Sequence, residues 1–167
     1  MLKPMNSWWE QVWMAIGQEF SDLGDPAVFA RVCVRLLVAA VLGGLLGYER
    51  EKVGAAAGLR THMLVAMGSA LFVLVPLQAG LTMEDASRVI QGVIAGIGFL
   101  GAGAILKSQT SDEVVGLTTA ASIWMTAAIG VAAGLGREST AVLSTVFALV
   151  ILSLLRKMVS KEKSGAA

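Results

Sequence analysis

The stretch IQGVIAGIGFLGAGAILK, residues 90–107, decides the fold. It is apolar over about 18 residues, which gives roughly 27 Å of helix, enough to cross the hydrocarbon core of a bilayer. In water its glycines would disfavour a helix by about 1 kcal/mol each. In lipid the backbone has no other hydrogen-bond partner, so the stretch stays helical and glycine lets neighbouring helices approach closely. We therefore predict a central membrane helix with others packed against it through Gly92, Gly96, Gly98, Gly101 and Gly103.

The composition indicates a membrane protein with several spans. Of the 167 residues, 56% are hydrophobic and 15% are charged, where a soluble domain has about 25% charged residues. The net charge of +1 gives no indication of a nucleic-acid partner. Cys33 is the single cysteine and His62 the single histidine, which excludes disulfides and metal clusters built on these residue types. We expect no cofactor, and the lipid bilayer as the main surrounding.

The predicted fold class is all-α, with about five transmembrane helices. Residues 1–25 form an N-terminal interfacial segment, in which tryptophans recur at helical spacing over 7–20. Residues 26–156 form the transmembrane domain, and residues 157–167 form a basic cytoplasmic tail. The five spans are predicted at 26–48, 62–79, 90–107, 116–135 and 139–155.

Local signals mark where helices begin and where loops lie. Asp25 and Pro26 have the pattern of an N-cap followed by proline at the first helical position. Thr82 and Asp85 have capping-box spacing before the central span. The charged residues 49–52 are predicted to form a polar loop.

Cationic side chains are distributed unequally between the two ends of the spans. The positive-inside rule places the richer end in the cytoplasm, so the N-terminus lies outside and the C-terminus inside. The richer end holds Arg50, Lys52, Arg60, Lys107, Arg156, Lys157, Lys161 and Lys163, against Lys3, Arg31, Arg88 and Arg137 at the other.

Small residues also recur on two further spans. Gly43 and Gly47 form a GxxxG pair near the end of the first span. Span 116–135 carries a small residue every four positions. Since two small-residue faces are more than one protomer needs, we expect a homodimer, with the central span in the protomer core and span 116–135 at the contact. The ribbon on that span is Ser122, Thr126, Gly130 and Gly134.

Four blocks of sequence resemble the membrane domain of the MgtC/SapB family of bacterial inner-membrane proteins. They are RLLVAAVLGGLLGYERE (35–51), AGLRTHMLVAMGSALF (57–72), RVIQGVIAGIGFLGAGAILK (88–107) and VVGLTTAASIWMTAAIGVAAGLG (114–136). The resemblance implies five inner-membrane helices and a link to magnesium limitation. Some members are virulence factors thought to act by binding other membrane proteins. Many continue into a soluble C-terminal domain, which we expect this chain to lack.

A cluster of charged residues is predicted at the cytoplasmic end. Two carboxylates and several cations there could bind an anion, a metal or a partner, although two carboxylates make a sparse magnesium site. Alternatively, these charges only anchor helix ends and fix the topology. The cluster consists of Glu49, Arg50, Glu51, Arg60, His62 and Lys107.

A second set of polar residues is predicted inside the membrane. Polar groups at that depth are candidates for function, and the alternative is hydrogen bonding between helices. Arg35 needs a neutralising partner, and we expect Gln91 or Asp85 to supply it. The set consists of Arg35, Gln91, Thr118, Thr119, Ser122 and Thr126.

Enzymatic activity is not expected. Ser69 follows His62 by seven residues on one helix, which separates the two side chains by about 10 Å, too far for a nucleophile and its base. The leading hypothesis is a small regulatory membrane protein that acts through contacts with itself or other membrane proteins. The alternative is an oligomeric cation transporter or channel.

Overall fold

The structure, a computed structural model, describes residues 8–107 and 114–155. It confirms an all-α fold. Besides helices, the described residues form one short antiparallel strand pair, in which Leu106 lies opposite Val115. The α-helices are α1 (Trp8–Glu19), α2 (Pro26–Lys52), α3 (Leu59–Gln78), α4 (Met83–Ala104), α5 (Leu117–Gly134) and α6 (Glu138–Val150), and the strands are β1 (Leu106–Lys107) and β2 (Val114–Val115). A π-helical turn, Ile151–Leu155, comes directly after α6.

Four helices, α2 to α5, are long and apolar enough to cross a membrane. The apolar helix that begins at Glu138 is shorter, and the residues after Leu155 lie outside the described part of the chain. These helices confirm the prediction of a polytopic membrane protein. The predicted tail, 157–167, lies wholly outside the described residues.

The chain divides into two compact units, residues 1–34 and 35–167. In the first unit, α1 has no buried residue, and the rings of Trp8 and Trp9 meet edge to face at 4.4 Å between centroids. Trp13 and Phe20 are also exposed. The second unit contains the packed helices described below.

The predicted helix starts are confirmed by their hydrogen bonds. The Ala27 backbone N–H donates to Asp25 Oδ1 at 2.8 Å, and α2 begins between them at Pro26. Thr82 Oγ1 accepts from the Asp85 backbone N–H at 3.2 Å and donates to Asp85 Oδ2 at 2.7 Å. Both side chains therefore satisfy N–H groups that have no partner within the helix.

The charged residues 49–52, predicted as a loop, instead form the last turn of α2. The helix continues because its end is closed further on, at Gly54, whose φ of +69° favours glycine. There the Gly54 N–H donates to the carbonyl of Glu51 and the Ala55 N–H to that of Arg50, the paired bonds of a Schellman motif. Cationic side chains in this last turn also interact favourably with the helix dipole.

The core lies where α3 packs between α2 and α5. A Cβ added at Gly43 would lie 2.6 Å from the carbonyl oxygen of His62, and one at Gly134 would lie 2.5 Å from that of Ala70. Such distances require direct contact between helix backbones. Alanines fill the same seams, with Ala66 and Ala70 fully buried on α3. α3 therefore has direct backbone contacts with both α2 and α5.

The predicted central helix, α4, is instead the least covered of the four long helices. Only 17% of its apolar window is buried, against 50% for α5. Gly101 contacts Ala120, but a Cβ on Gly92, Gly96, Gly98 or Gly103 would meet no atom within 4 Å. The expectation that these four glycines pack inside the protomer is therefore wrong.

The ribbon on α5, predicted as the contact between protomers, is occupied within the protomer. Ser122, Thr126, Gly130 and Gly134 are all buried. Residues four apart stay on one helix face, and this face meets the alanines of α3. The ribbon thus packs inside the protomer, because α3 offers a small-residue stripe that matches α5.

Candidate functional site at the junction of three helices

The imidazole of His62, in the first turn of α3, is fully buried and bonded at both nitrogens. Nδ1 lies 2.9 Å from the carbonyl oxygen of Gly58, and Nε2 lies 3.1 Å from Ser122 Oγ on α5. Because a carbonyl only accepts, Nδ1 carries the hydrogen, so Nε2 of the neutral ring can only accept. His62 therefore bonds α3 to α5 when the Ser122 hydroxyl gives its hydrogen to the ring.

The hydroxyl of Ser122 has two acceptors within reach and one hydrogen to give. Its oxygen lies 2.8 Å from the carbonyl oxygen of Thr119 as well as 3.1 Å from the His62 ring. The hydrogen can therefore stay within α5 or bridge to α3. The bond between the helices exists only in the second arrangement, while the ring is neutral.

Glycines on α2 make room for this histidine. A Cβ on Gly47 would lie 3.0 Å from His62 Cβ and 2.7 Å from Leu59 Cα. Gly43, one turn earlier, meets the His62 backbone. The junction thus includes α2, α3 and α5, with glycine facing the ring on the α2 side.

The charged residues predicted to surround His62 are divided among different tasks. Arg50 is buried, with 5% of its surface exposed. Its Nε donates to Glu49 Oε2 at 2.5 Å. Glu51 Oε2 accepts from the Leu59 backbone N–H at 2.8 Å, so it caps α3 and places a negative charge at its N-terminus. Arg60 is exposed. Lys107 lies in β1, and its side chain is outside the described part.

The two carboxylates considered for magnesium therefore have different partners. Glu49 is paired with a cation and Glu51 with a backbone N–H. Among residues 8–107 and 114–155, no three His, Cys, Asp or Glu side chains are grouped closely enough to hold an ion. The charged cluster thus organises the connection between α2 and α3.

Two of the six predicted intramembrane polar residues, Ser122 and Thr126, reach carbonyl groups of their own helix. Thr126 Oγ1 donates to the Ser122 carbonyl at 2.8 Å, as Ser122 does to Thr119. Thr119 is also buried, whereas Thr118 and Gln91 are exposed. Apart from Ser122, which reaches His62, the structure does not bring these side chains to one site.

Arg35 has partners other than the expected Gln91 or Asp85, so that expectation is wrong. Its Nη1 donates to the Gly134 carbonyl at 3.0 Å, and its Nε lies 4.0 Å from Glu138 Oε1. The last carbonyls of α5 lack partners within their helix and carry its negative dipole end, which attracts a guanidinium. Arg35 therefore caps α5 at the turn into α6.

A comparison of the sequence with known proteins places this chain in a family. The family model described as "MgtC family" matches residues 36–161. The chain belongs to the MgtC family.

Three relatives illustrate how widely the family is distributed. "Protein SrpB" of Synechococcus elongatus is 46% identical over 135 residues, covering 74% of this chain and 74% of SrpB. "Putative magnesium transporter YhiD" of Escherichia coli K12 is 41% identical over 136 residues, covering 77% of this chain and 62% of YhiD. "Protein MgtC" of Brucella abortus is 45% identical over 136 residues, covering 80% of this chain and 54% of that protein. The chain thus spans less than two thirds of the last two, and no solved structure matches it.

Two features of this MgtC-family domain were missed from the sequence. Glu138 was taken to precede the last helix, but it starts α6 and faces Arg35. Thr145 is fully buried, with its hydroxyl donating to the Ala141 carbonyl at 2.8 Å. A glutamate two residues after Gly136, the glycine that ends α5, was the available signal for the first feature.

The contact between Ser122 and His62 has the separation of a nucleophile and its base. However, the exposed fractions of the two side chains are 3% and 0%. Neither residue provides an opening through which a substrate carbonyl could approach within about 3 Å of the hydroxyl. In this family member the pair connects α3 and α5.

Proposed function

We propose that this MgtC-family protein is a small regulatory protein of the bacterial inner membrane. It acts through contacts with other membrane proteins, in adaptation to low magnesium, and has no catalytic activity. The observation that carries the proposal is how the polar groups are used: the buried hydroxyls of α5 and α6 bond to their own backbones. These hydroxyls thus hold their hydrogens within their own helices, whereas one face of α4 is open to neighbours.

Magnesium enters this proposal through the relatives. One carries the family name MgtC, and the E. coli relative is named for magnesium transport. That second name favours the alternative, an oligomeric cation transporter or channel. Against it, the acidic residues of the described spans lie near helix ends, as Glu49, Glu84 and Glu138 do. A path for a divalent cation would then have to form between copies.

Flux measurements separate the two functions. Purified protein in liposomes that enclose a magnesium-sensitive dye is expected to show no Mg²⁺ entry above that of protein-free liposomes. In cells from which the gene is deleted, the wild-type gene should restore growth at low magnesium without changing the rate of Mg²⁺ uptake. A saturable Mg²⁺ flux in the liposomes would establish the transporter in place of the regulatory protein.

We further propose the orientation given by the positive-inside rule. Ala56 in the α2–α3 connection and Gly103 near the end of α4 line one depression, so these two ends share a side. With Arg50, Lys52 and Arg60 beside them, that side is cytoplasmic. The N-terminus is then outside, as expected from the distribution of cations.

Reporter fusions test this orientation. A green fluorescent protein fused after Lys163 should be fluorescent, and alkaline phosphatase at the same point should be inactive. The same reporters inserted in the turn between α3 and α4 should give the opposite pattern. An active phosphatase after Lys163 would contradict the orientation.

A further inference from the structure

The exposed face of α4 combines glycines with one large side chain. Gly92, Gly96, Phe99 and Gly103 fall within a sector of about 60° on the helix, at about 100° per residue. Phe99 is 82% exposed. Phe99 comes three residues after Gly96 and four before Gly103. No protomer atom lies within 4 Å of a Cβ added at either glycine. The face therefore carries a protrusion beside two hollows.

An apolar groove of about 690 Å³ lies between α3 and α4 and borders this face at Gly92 and Gly96. Gly92 and Gly96 form part of one wall, and Gly68 and Phe72 form part of the other. Small residues on both walls let another helix backbone approach closely, which is how helices associate where lipid supplies no hydrophobic drive.

We propose that this face binds a second copy of the same chain, α4 against α4, in a parallel pair with twofold symmetry. A surface that binds its own copy must be self-complementary. Here Phe99 of each copy faces the hollows at Gly96 and Gly103 of the other. The twofold axis runs along the membrane normal, because both copies insert in the same orientation.

Charge gives a second, independent form of self-complementarity. Arg88 lies one turn before Gly92 on the same side of α4, and Glu84 lies one turn earlier still. Both are exposed, and the described residues hold no ion pair for either. In the parallel pair, Arg88 of each copy reaches Glu84 of the other, so two ion pairs form at the membrane surface. A second copy always carries the complementary charges at the same level, whereas another membrane helix or a lipid chain need not carry them. The inference holds whether the protein regulates or transports.

Two glycines of α4 provide a matched test. Gly96 and Gly98 both have free space around an added Cβ, but they point about 160° apart. We expect light scattering coupled to size exclusion to show a wild-type dimer. Gly96→Leu should raise its dissociation constant at least about tenfold, and Gly98→Leu should leave it unchanged. Subunit counting by photobleaching in bilayers should likewise show fewer dimers for Gly96→Leu than for the wild type or Gly98→Leu. A monomeric wild type in both media, or equal weakening by both variants, would overturn the proposal.

Charge reversal tests the orientation of the pair. Arg88→Glu alone should weaken the dimer, because each copy then presents only acidic groups at this level. Glu84→Arg alone should weaken it similarly. Mixing the two variants, each with a different tag, should restore pairing between them. If the mixture pairs no better than either variant alone, the parallel α4 contact is wrong.

Discussion

Gly130→Leu is expected to abolish folding of the membrane domain. A Cβ at this position would overlap the carbonyl oxygen of Ala66. Neither group can rotate away, because the α5 backbone fixes the position of the Cβ and the carbonyl is part of the α3 backbone. Even Gly130→Ala forces the seam between α3 and α5 apart, at a cost of about 3 kcal/mol or more. In detergent, the leucine variant should elute as aggregate, and the alanine variant should lose its helical signal at a clearly lower temperature.

Gly98→Leu is the control for this result, since it adds the same side chain to a membrane helix where no atom of the protomer stands within 4 Å. Its melting temperature should match that of the wild type. A folded, monodisperse Gly130→Leu protein would show that α5 does not pack on α3 through this glycine. It would also return the ribbon on α5 to the role of an intermolecular contact.

His62→Ala is expected to destabilise the domain by about 3 kcal/mol. The change removes a fully buried side chain and leaves a cavity against α2. It also leaves the Gly58 carbonyl and the Ser122 hydroxyl without the ring that they contact. Ser122→Ala keeps the ring and removes only one partner, so its cost should be about 1–2 kcal/mol. Unfolding in a denaturing detergent, followed by circular dichroism, measures both.

Arg60→Ala controls for changes at the start of α3, because Arg60 is exposed two residues before the histidine. Arg60→Ala should unfold at the same concentration of denaturing detergent as the wild type. Should His62→Ala be as stable as Arg60→Ala, the bond between α3 and α5 would make no contribution, and the charged residues nearby would act without it.

Much of this fold was predictable because helix-forming and helix-ending signals are local. Asp25-Pro26, and Thr82 with Asp85, each act through backbone groups within a few residues. The end of α2 was predicted too early, because its charged last turn resembles a loop when the Schellman motif beyond it is not considered.

The choice of neighbours could not be predicted in the same way. In water the apolar face of a helix identifies its buried side, but in lipid all faces are apolar and only fit decides. Gly96 and Gly130 therefore look alike in the sequence, although one is open and the other touches a backbone.

The candidate site was predicted only in part for a similar reason. His62 was assigned to the charged cluster and Ser122 to the intramembrane set, yet the two are bonded to each other. Sixty residues separate them in the chain, and no local pattern encodes that pairing. Glu51, by contrast, acts eight residues away, on the next helix of the chain.

The arginine that caps α5 sets an order of events during synthesis. Arg35 precedes Gly134, whose carbonyl receives it, by 99 residues. At about 5–20 residues per second, the ribosome needs roughly 5–20 s to add them. Through that interval, water and lipid phosphates must hold the guanidinium, so α2 enters the bilayer before its terminal contact exists. The domain reaches its final form only when α5 and α6 have left the translocon and the Gly134 carbonyl can accept the hydrogen bond from Arg35.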